Sequence, residues 1–439
     1  MINQLQPNSK TLSSHFTLGR QDFNRPKAIR RRSKLILRAY KTELKLNNQQ
    51  RTHCQKHAGC ARFAFNWGLQ RKFEAYQQTG KMPTAIALHR ELVRLKRSQF
   101  SWMYEVSKCA PQEALRNLDQ AFRNFFRRLR SCKPPGFPKF KTRKRSKRTF
   151  RLTGTIHVFS DAIQLPRLGH LGLKERNYLP IESDQVRILS ATVSEKAGRW
   201  FVSLLVEEAR TIPKNFGPVV GVDLGINRLA TISNGITYDS SRALKRFERK
   251  LKRLQRMLSR RKNGSQNYQK TLHHLRNVHS RILNKRRETL HQITSKLAKT
   301  KSVIVVEDLG VEGMKRNHQM AKAISDSGFS EFRRQLKYKT IWYGSILLVA
   351  PRFFPSSKRC SRCGHIKTSM ELSIRVYRCK FCKLIIDRDL NASQNLSQVA
   401  ASWVETQNAC FEAGGYSLSK AVPANDAGTD HQWNDILDG

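Results

Sequence analysis

Cys360-Ser361-Arg362-Cys363 and Cys379-Lys380-Phe381-Cys382 form two CxxC knuckles, and soon after the second the chain reads Asp387-Arg388-Asp389-Leu390-Asn391-Ala392. The loop between the knuckles, residues 364–378, is long enough for four thiolates to close on one tetrahedral ion. This spacing predicts a structural zinc site held by Cys360, Cys363, Cys379 and Cys382, the alternative being cysteines that are merely buried or joined as disulfides. Acids follow directly, so the zinc segment is expected to place a carboxylate. Lys358, Arg359, Arg362, Lys367, Arg375, Arg378, Lys380 and Lys383 surround it with charge suited to phosphate contact. The other five cysteines, Cys54, Cys60, Cys109, Cys132 and Cys410, show no metal spacing. No secretory signal precedes them, and they are expected to be reduced thiols of a cytoplasmic protein.

The same positive charge runs through the whole chain. Its 439 residues hold 83 Lys and Arg against 32 Asp and Glu, a formal net charge of +51. A compact fold this basic repels itself unless a polyanion neutralises it, which makes nucleic acid the expected partner. A hydrophobic content of 39% is enough for a sizeable core, and the length suggests several domains. No apolar run reaches the length of a membrane span.

Upstream of the knuckles, two short apolar runs end in an acid. Val219-Val220-Gly221-Val222 leads to Asp223, and Val303-Ile304-Val305-Val306 leads to Glu307. Further strands are expected at Leu229–Ser233, Ile236–Tyr238 and Ile346–Ala350, with a turn at Asn234-Gly235. Between Ser241 and Lys301 the only acids are Glu248 and Glu288, amid dense Lys and Arg. Leu244, Phe247, Leu251, Leu254 and Leu258, and a second series from Leu272, predict a helical hairpin with an apolar seam and basic outer faces. A helix is expected around 330–341, and a short one beyond Asn391 carrying Leu396 and Val399.

The N-terminal half reads differently. Short alternating runs at 149–152, 156–159, 162–165, 186–195 and 200–207 predict antiparallel strands of a small barrel of oligonucleotide-binding type, with 35–44 as a further strand. Helices over 48–78, stopped by Gly80, and over 111–129 would then be an insertion into it. Ala114, Leu115, Leu118, Ala121, Phe122, Phe125 and Phe126 form one wide apolar face, expected to be core in preference to a base-stacking surface.

Asp223, Glu307 and Asp389 are the candidate catalytic acids. An acid at the end of an apolar strand is costly to bury alone, and converging acids need cations between them. Hard oxygen ligands suit magnesium, with two ions expected to serve phosphodiester hydrolysis, whereas the thiolates suit zinc. Singly, each acid has a plainer reading: Asp223 as a turn cap, Glu307 as an arginine partner, and Asp389 as the cap of the following helix with Asp387 on the metal.

Gly221-Val222-Asp223-Leu224-Gly225-Ile226, Val306-Glu307-Asp308-Leu309, Phe354-Pro355-Ser356-Ser357-Lys358, the first knuckle with Gly364, and Asp387-Arg388-Asp389-Leu390-Asn391-Ala392 occur in this order. Together they resemble the TnpB (OrfB) family of transposon-encoded RNA-guided DNA nucleases, relatives of the type V CRISPR effectors. Phe65-Asn66-Trp67 and Pro138-Lys139-Phe140-Lys141 fall in similar places. The resemblance implies an α+β multidomain protein: an RNase H-like (RuvC) nuclease at 216–354 and 385–405 with a zinc finger inserted at 355–384. Before it would come a β-barrel (wedge) domain at 34–47 and 131–212 holding a helical recognition insertion at 48–130. A flexible basic arm at 1–33 and a mobile tail at 406–439 complete the division.

The resemblance also matches Asp223, Glu307 and Asp389 to the family's catalytic, magnesium-binding acids. It implies a guide RNA from the transposon end, double-stranded target DNA cut beside a short flanking motif, and a nucleoid-associated site of action. Lys383 stands where a glycine usually follows the second knuckle, and Gly310 where asparagine is frequent. The other readings are an RNA-guided repressor that binds without cutting, a guide-free structure-selective nuclease, and a transposase or its accessory protein.

Overall fold

The computed structural model describes residues 34–131, 134, 136–143, 146–371 and 373–412, with side chains from 35 to 400. The expected basic arm lies outside the described residues. Of the expected tail, 406–412 belongs to the last helix and the remainder lies outside.

Seven strands make one antiparallel sheet: β1 (Lys34–Lys45), β2 (Thr149–Leu152), β3 (His157–Val158), β4 (Ala162–Leu165), β5 (Gly169–Leu173), β6 (Val186–Lys196) and β7 (Arg199–Arg210). Their order is β2-β6-β7-β1-β5-β4-β3, so β1 enters between strands that follow it by more than a hundred residues. β5, with two glycines in Gly169-His170-Leu171-Gly172-Leu173, lacks the β-branched alternation that announces the other strands, and its pairing with β4 and β1 creates it.

Helices α1 (Asn48–Thr79), α2 (Ala85–Ser98) and α3 (Cys109–Arg130) lie between β1 and β2 in the chain. Asn47 and Gln50 form a reciprocal capping box at the start of α1, and Gly80, at φ 67°, ends it in the left-handed conformation that glycine adopts without strain. The insertion does not carry a separate core: Leu69, Leu88, Leu115 and Leu118 join Leu152, Val202 and Leu204 in one buried cluster. On α3 burial stops at Phe122. Phe125 and Phe126 pack with each other, Phe125 meets Phe137 of the linker at 5.1 Å, and Phe126 stays exposed, so the expected apolar face is core only along its first turns.

The second sheet has the order β10-β9-β8-β11-β12, from β8 (Val220–Asp223), β9 (Arg228–Ile232), β10 (Thr237–Asp239), β11 (Val303–Val306) and β12 (Ile346–Val349). β8, β11 and β12 run parallel, while β9 is antiparallel to β8 and β10 antiparallel to β9. β11 is buried on both faces, as a central parallel strand should be. Ile304 and Val306 pack among residues of α5 (Gln266–Thr300) and α8 (Phe329–Tyr343), including Leu290, Leu297, Phe332 and Leu336. Val303 and Val305 pack instead with Leu396 and Ala400 of α9 (Arg388–Glu412).

α4 (Ala243–Ser259) and α5 form the expected hairpin, with Leu251, Leu275, Val278 and Ile282 buried in its seam. Like α2, the helices α6 (Val311–Met314) and α7 (His318–Ser327) were not expected from the sequence; they bridge to α8. The knuckles carry a two-stranded ribbon, β13 (Val376–Arg378) with β14 (Ile385–Asp387).

Candidate active site

In the parallel register of β8 and β11, Val222 stands opposite Val306, so Asp223 and Glu307 leave the sheet side by side at its carboxyl edge. The third acid arrives on α9, which crosses β8 at close backbone range. A Cβ on Gly221 would lie 2.0 Å from the Ser393 carbonyl oxygen and 2.5 Å from the Ser397 nitrogen, so only glycine admits this crossing. It brings the first turn of α9, with Asp389, over the strand end that carries Asp223.

The helix was expected beyond Asn391 and in fact begins at Arg388. Asp387 is its cap: Oδ1 accepts hydrogen bonds from the backbone nitrogens of Asp389 at 3.0 Å and Leu390 at 3.1 Å. Its other oxygen faces Arg228 at 3.4 Å. The two acids therefore take roles opposite to the plainer reading, with Asp387 occupied in capping and Asp389 in the first turn.

Burial holds the Asp223 carboxyl well above its ordinary pKa, and the negative charges of Glu307 and Asp389 add to the effect. Glu307 is raised by burial too, against the opposing pull of a hydrogen bond donated by the Ser356 hydroxyl and of the Arg388 charge. Arg388 is held by the carbonyl oxygens of Glu371 and Ile374, both at 3.2 Å, and Arg375 lies 3.9 Å from Asp389. Asp223 thus lies within electrostatic reach of both Glu307 and Asp389, with Arg388 acting on Asp223 and Glu307 and Arg375 beside Asp389.

The four cysteines gather as their spacing requires. All four sulfurs lie within 4.8 Å of one another. Cys360 faces Cys382 at 3.5 Å and Cys363 faces Cys379 at 3.6 Å, each pair crossing from one knuckle to the other. A tetrahedron of thiolates around zinc has edges of about 3.8 Å, so the donor set fits that ion. Gly364 and Lys383 occupy equivalent places after the two knuckles, at φ 74° and φ 61°. The second knuckle therefore makes the same left-handed turn without its glycine.

Sequence reasoning missed what joins this cluster to the acids. Asn391, Asn395 and Gln398 lie along one face of α9 and grip the backbone leading into the knuckles. Asn391 accepts from the Ser361 nitrogen at 2.9 Å and donates to the Arg359 carbonyl at 2.7 Å. Asn395 donates to the carbonyls of Ser356 at 2.8 Å and Arg359 at 2.7 Å, and Gln398 to that of Ser361 at 2.8 Å. Their i, i+4, i+7 spacing was the available signal. In the N-terminal half, Asn66 and Lys141 meet in a reciprocal pair of bonds, 2.9 Å to the Lys141 carbonyl and 2.8 Å from its nitrogen, which joins two of the quoted motifs.

Three family models match: "Probable transposase" over residues 191–318, "Cas12f1-like, TNB domain" over 329–396 and "Helix-turn-helix domain" over 36–81. The last stretch is here a strand followed by one unbroken helix of 32 residues. A solved structure titled "Cryo-EM structure of the Cas12f1-sgRNA-target DNA complex" aligns with TM-score 0.50 and 13% identity over 83% of this chain and 99% of that one, a likeness of fold. A protein of Streptomyces pristinaespiralis named "Putative RNA-guided DNA endonuclease" is 32% identical, covering 82% of this chain and 89% of that protein. InsQ of Escherichia coli K12, similarly named, is 32% identical over 82% of this chain and 91% of its own length. With relatives this similar along most of its length, the chain belongs to the TnpB (OrfB) family.

Proposed function

We propose that this protein is an RNA-guided, magnesium-dependent DNA endonuclease encoded by a transposon, cutting target DNA beside a short flanking motif. The observation that carries this reading is the convergence of Asp223, Glu307 and Asp389 at one strand edge, where burial and mutual repulsion raise Asp223. A site so built favours cations between its acids, and carboxylate oxygens suit magnesium. Asp223, Glu307 and Asp389 would hold two such ions. When bound, they would activate a water and stabilise the leaving oxygen of a phosphodiester. Ser356 orients the Glu307 carboxylate, Asp387 fixes the helix turn that presents Asp389, and Arg388 balances the trio's charge. Zinc in the four-cysteine cluster would be structural, stiffening the segment that α9 grips.

In this reading the second sheet with α9 is an RNase H-like (RuvC) nuclease domain, and the first is the oligonucleotide-binding-type barrel with α1 to α3 as the recognition insertion. The names of the relatives support RNA guidance, and a net charge of +51 supports binding to nucleic acid by its backbone. The guide would come from the transposon end, and the protein would act in the cytoplasm on the nucleoid.

Asp223→Ala tests the site. Plasmid cutting by the purified protein with its co-expressed RNA should fall at least a thousandfold, on the order expected when a metal-held centre loses a ligand, while affinity for RNA stays within about twofold. Retained cutting would remove Asp223 from the chemistry, and lost RNA binding would make it structural.

A further inference from the structure

Away from the acids, a cleft of about 330 Å³ opens between the first sheet and α5. Ser280, Asn284 and Arg287 share one face of α5 and form one wall. Lys41 and Glu43 of β1, with Lys196 and Arg199 at the β6–β7 turn, contribute to the other. That turn is rigid. Lys196 pairs with Arg199 across Ala197 and Gly198, at φ 52° and φ 76°, the type I′ geometry that matches strand twist. It also abuts α5, since a Cβ on Gly198 would lie 3.0 Å from the His273 ring.

The lining of the cleft is mostly cationic: Lys174, Lys196, Arg199 and Arg287 stand in it beside two carboxylates, Glu43 and Glu175. Glu43 is committed to Lys174 at 3.3 Å and Arg199 at 3.1 Å. Lys196 has no ion-pair partner among the described residues. Burial, and then the charges of Arg287, Lys41, Lys147 and Arg199, push its ammonium down to about 8. Lys196 and Arg287, both half-buried and close enough to repel each other, are destabilising in the free protein, and an anion offsets them. The cleft adds neutral donors, the Ser280 hydroxyl and Asn284 amide, to the guanidinium of Arg287, a set suited to phosphate oxygens.

We infer that this cleft is a phosphate clamp, in which Lys196, Arg287 and Ser280 hold one backbone phosphodiester of bound nucleic acid at the joint between the first sheet and the α4–α5 hairpin. The inference rests on the proposed function for the identity of the polyanion and is independent of cutting. Its effect is a coupling: nucleic acid would fix the two parts against each other, where the free protein has unopposed charge.

The experiment places Lys196→Gln with Arg287→Gln in the full-length Asp223→Ala chain, and measures thermal stability without nucleic acid and affinity for the co-purifying RNA and for duplex DNA. The clamp predicts two changes of opposite sign. The free variant melts at the same or a higher temperature because repulsion is relieved, while affinity falls by about tenfold and the dependence of log affinity on log salt becomes shallower by about one phosphate's worth. A loss confined to RNA would assign the phosphate to the guide, and one confined to DNA to the target. Unchanged affinity overturns the clamp. So does a lowered melting temperature with weakened binding that Lys196→Arg with Arg287→Lys fails to restore, since the pair would then be structural. If the Asp223→Ala parent binds neither RNA nor DNA, the proposed function falls, whatever the cleft does.

Discussion

At the scale of single residues, the acids show how much a sequence can state and where it stops. Asp223 and Glu307 were legible because each ends a short apolar run, the place where a parallel strand delivers a side chain to the edge of its sheet. Asp387 and Asp389 could not be told apart from sequence, because either can cap a helix. Only the helix start at Arg388, with both Asp387 bonds to backbone nitrogens, separates them. Ser356 was visible within a quoted motif but had no role until the fold set it against Glu307. Ser356→Ala should slow cutting by about tenfold to a hundredfold, the worth of a hydrogen bond to a charged group, and leave RNA affinity unaltered. Equal rates in a single-turnover plasmid assay would mean Glu307 is held by other contacts. Lys383 offers a test of the opposite sign. Its left-handed backbone costs a non-glycine residue about 1 kcal/mol, so Lys383→Gly should raise the temperature at which zinc is released by a few degrees. A lower release temperature would show that the lysine side chain contributes more than its backbone costs.

At the scale of elements, the hairpin α4–α5 and most strands were readable because their burial follows a single period, 3.6 or 2. β5, α6 and α7 escaped for physical reasons: β5 is glycine-rich, α6 is a single turn and α7 has only ten residues. α2 carried a readable signal that was passed over, Ala85, Leu88 and Leu92 at helical spacing behind the cap residue Thr84. The contact that sets the site is also of this scale. β8 and α9 touch through Gly221, and their closeness brings two acids from distant parts of the chain within electrostatic reach. A methyl group there must push α9 outward. Gly221→Ala should therefore destabilise the fold by about 1–3 kcal/mol and depress cutting further than RNA binding. Differential scanning fluorimetry beside a cleavage assay checks both, and a variant as stable and active as the parent would contradict the crossing described here.

At the scale of the whole molecule, the shared core of sheet and insertion, the grip of α9 on the knuckles and the net charge of +51 point to one arrangement. In the proposed function a zinc-held segment and a glycine crossing would place three acids, and basic surfaces on both halves would meet phosphate. The α+β character was legible from periodicity and motif order, while the strands expected to form a small barrel are ordered as one seven-stranded sheet. The joint between the molecule's halves was not legible, because no local pattern records how the β6–β7 turn meets α5. The central claim is that a bound RNA chooses where Asp223, Glu307 and Asp389 act. The most direct measurement is to co-express the chain with its flanking DNA, replace the variable end of the RNA that co-purifies, and incubate the complex with magnesium and plasmids matching the old or the new sequence. Cutting should move to the new sequence and disappear with Asp223→Ala. Cutting that ignores the replacement, or that follows DNA structure instead, would contradict the central claim.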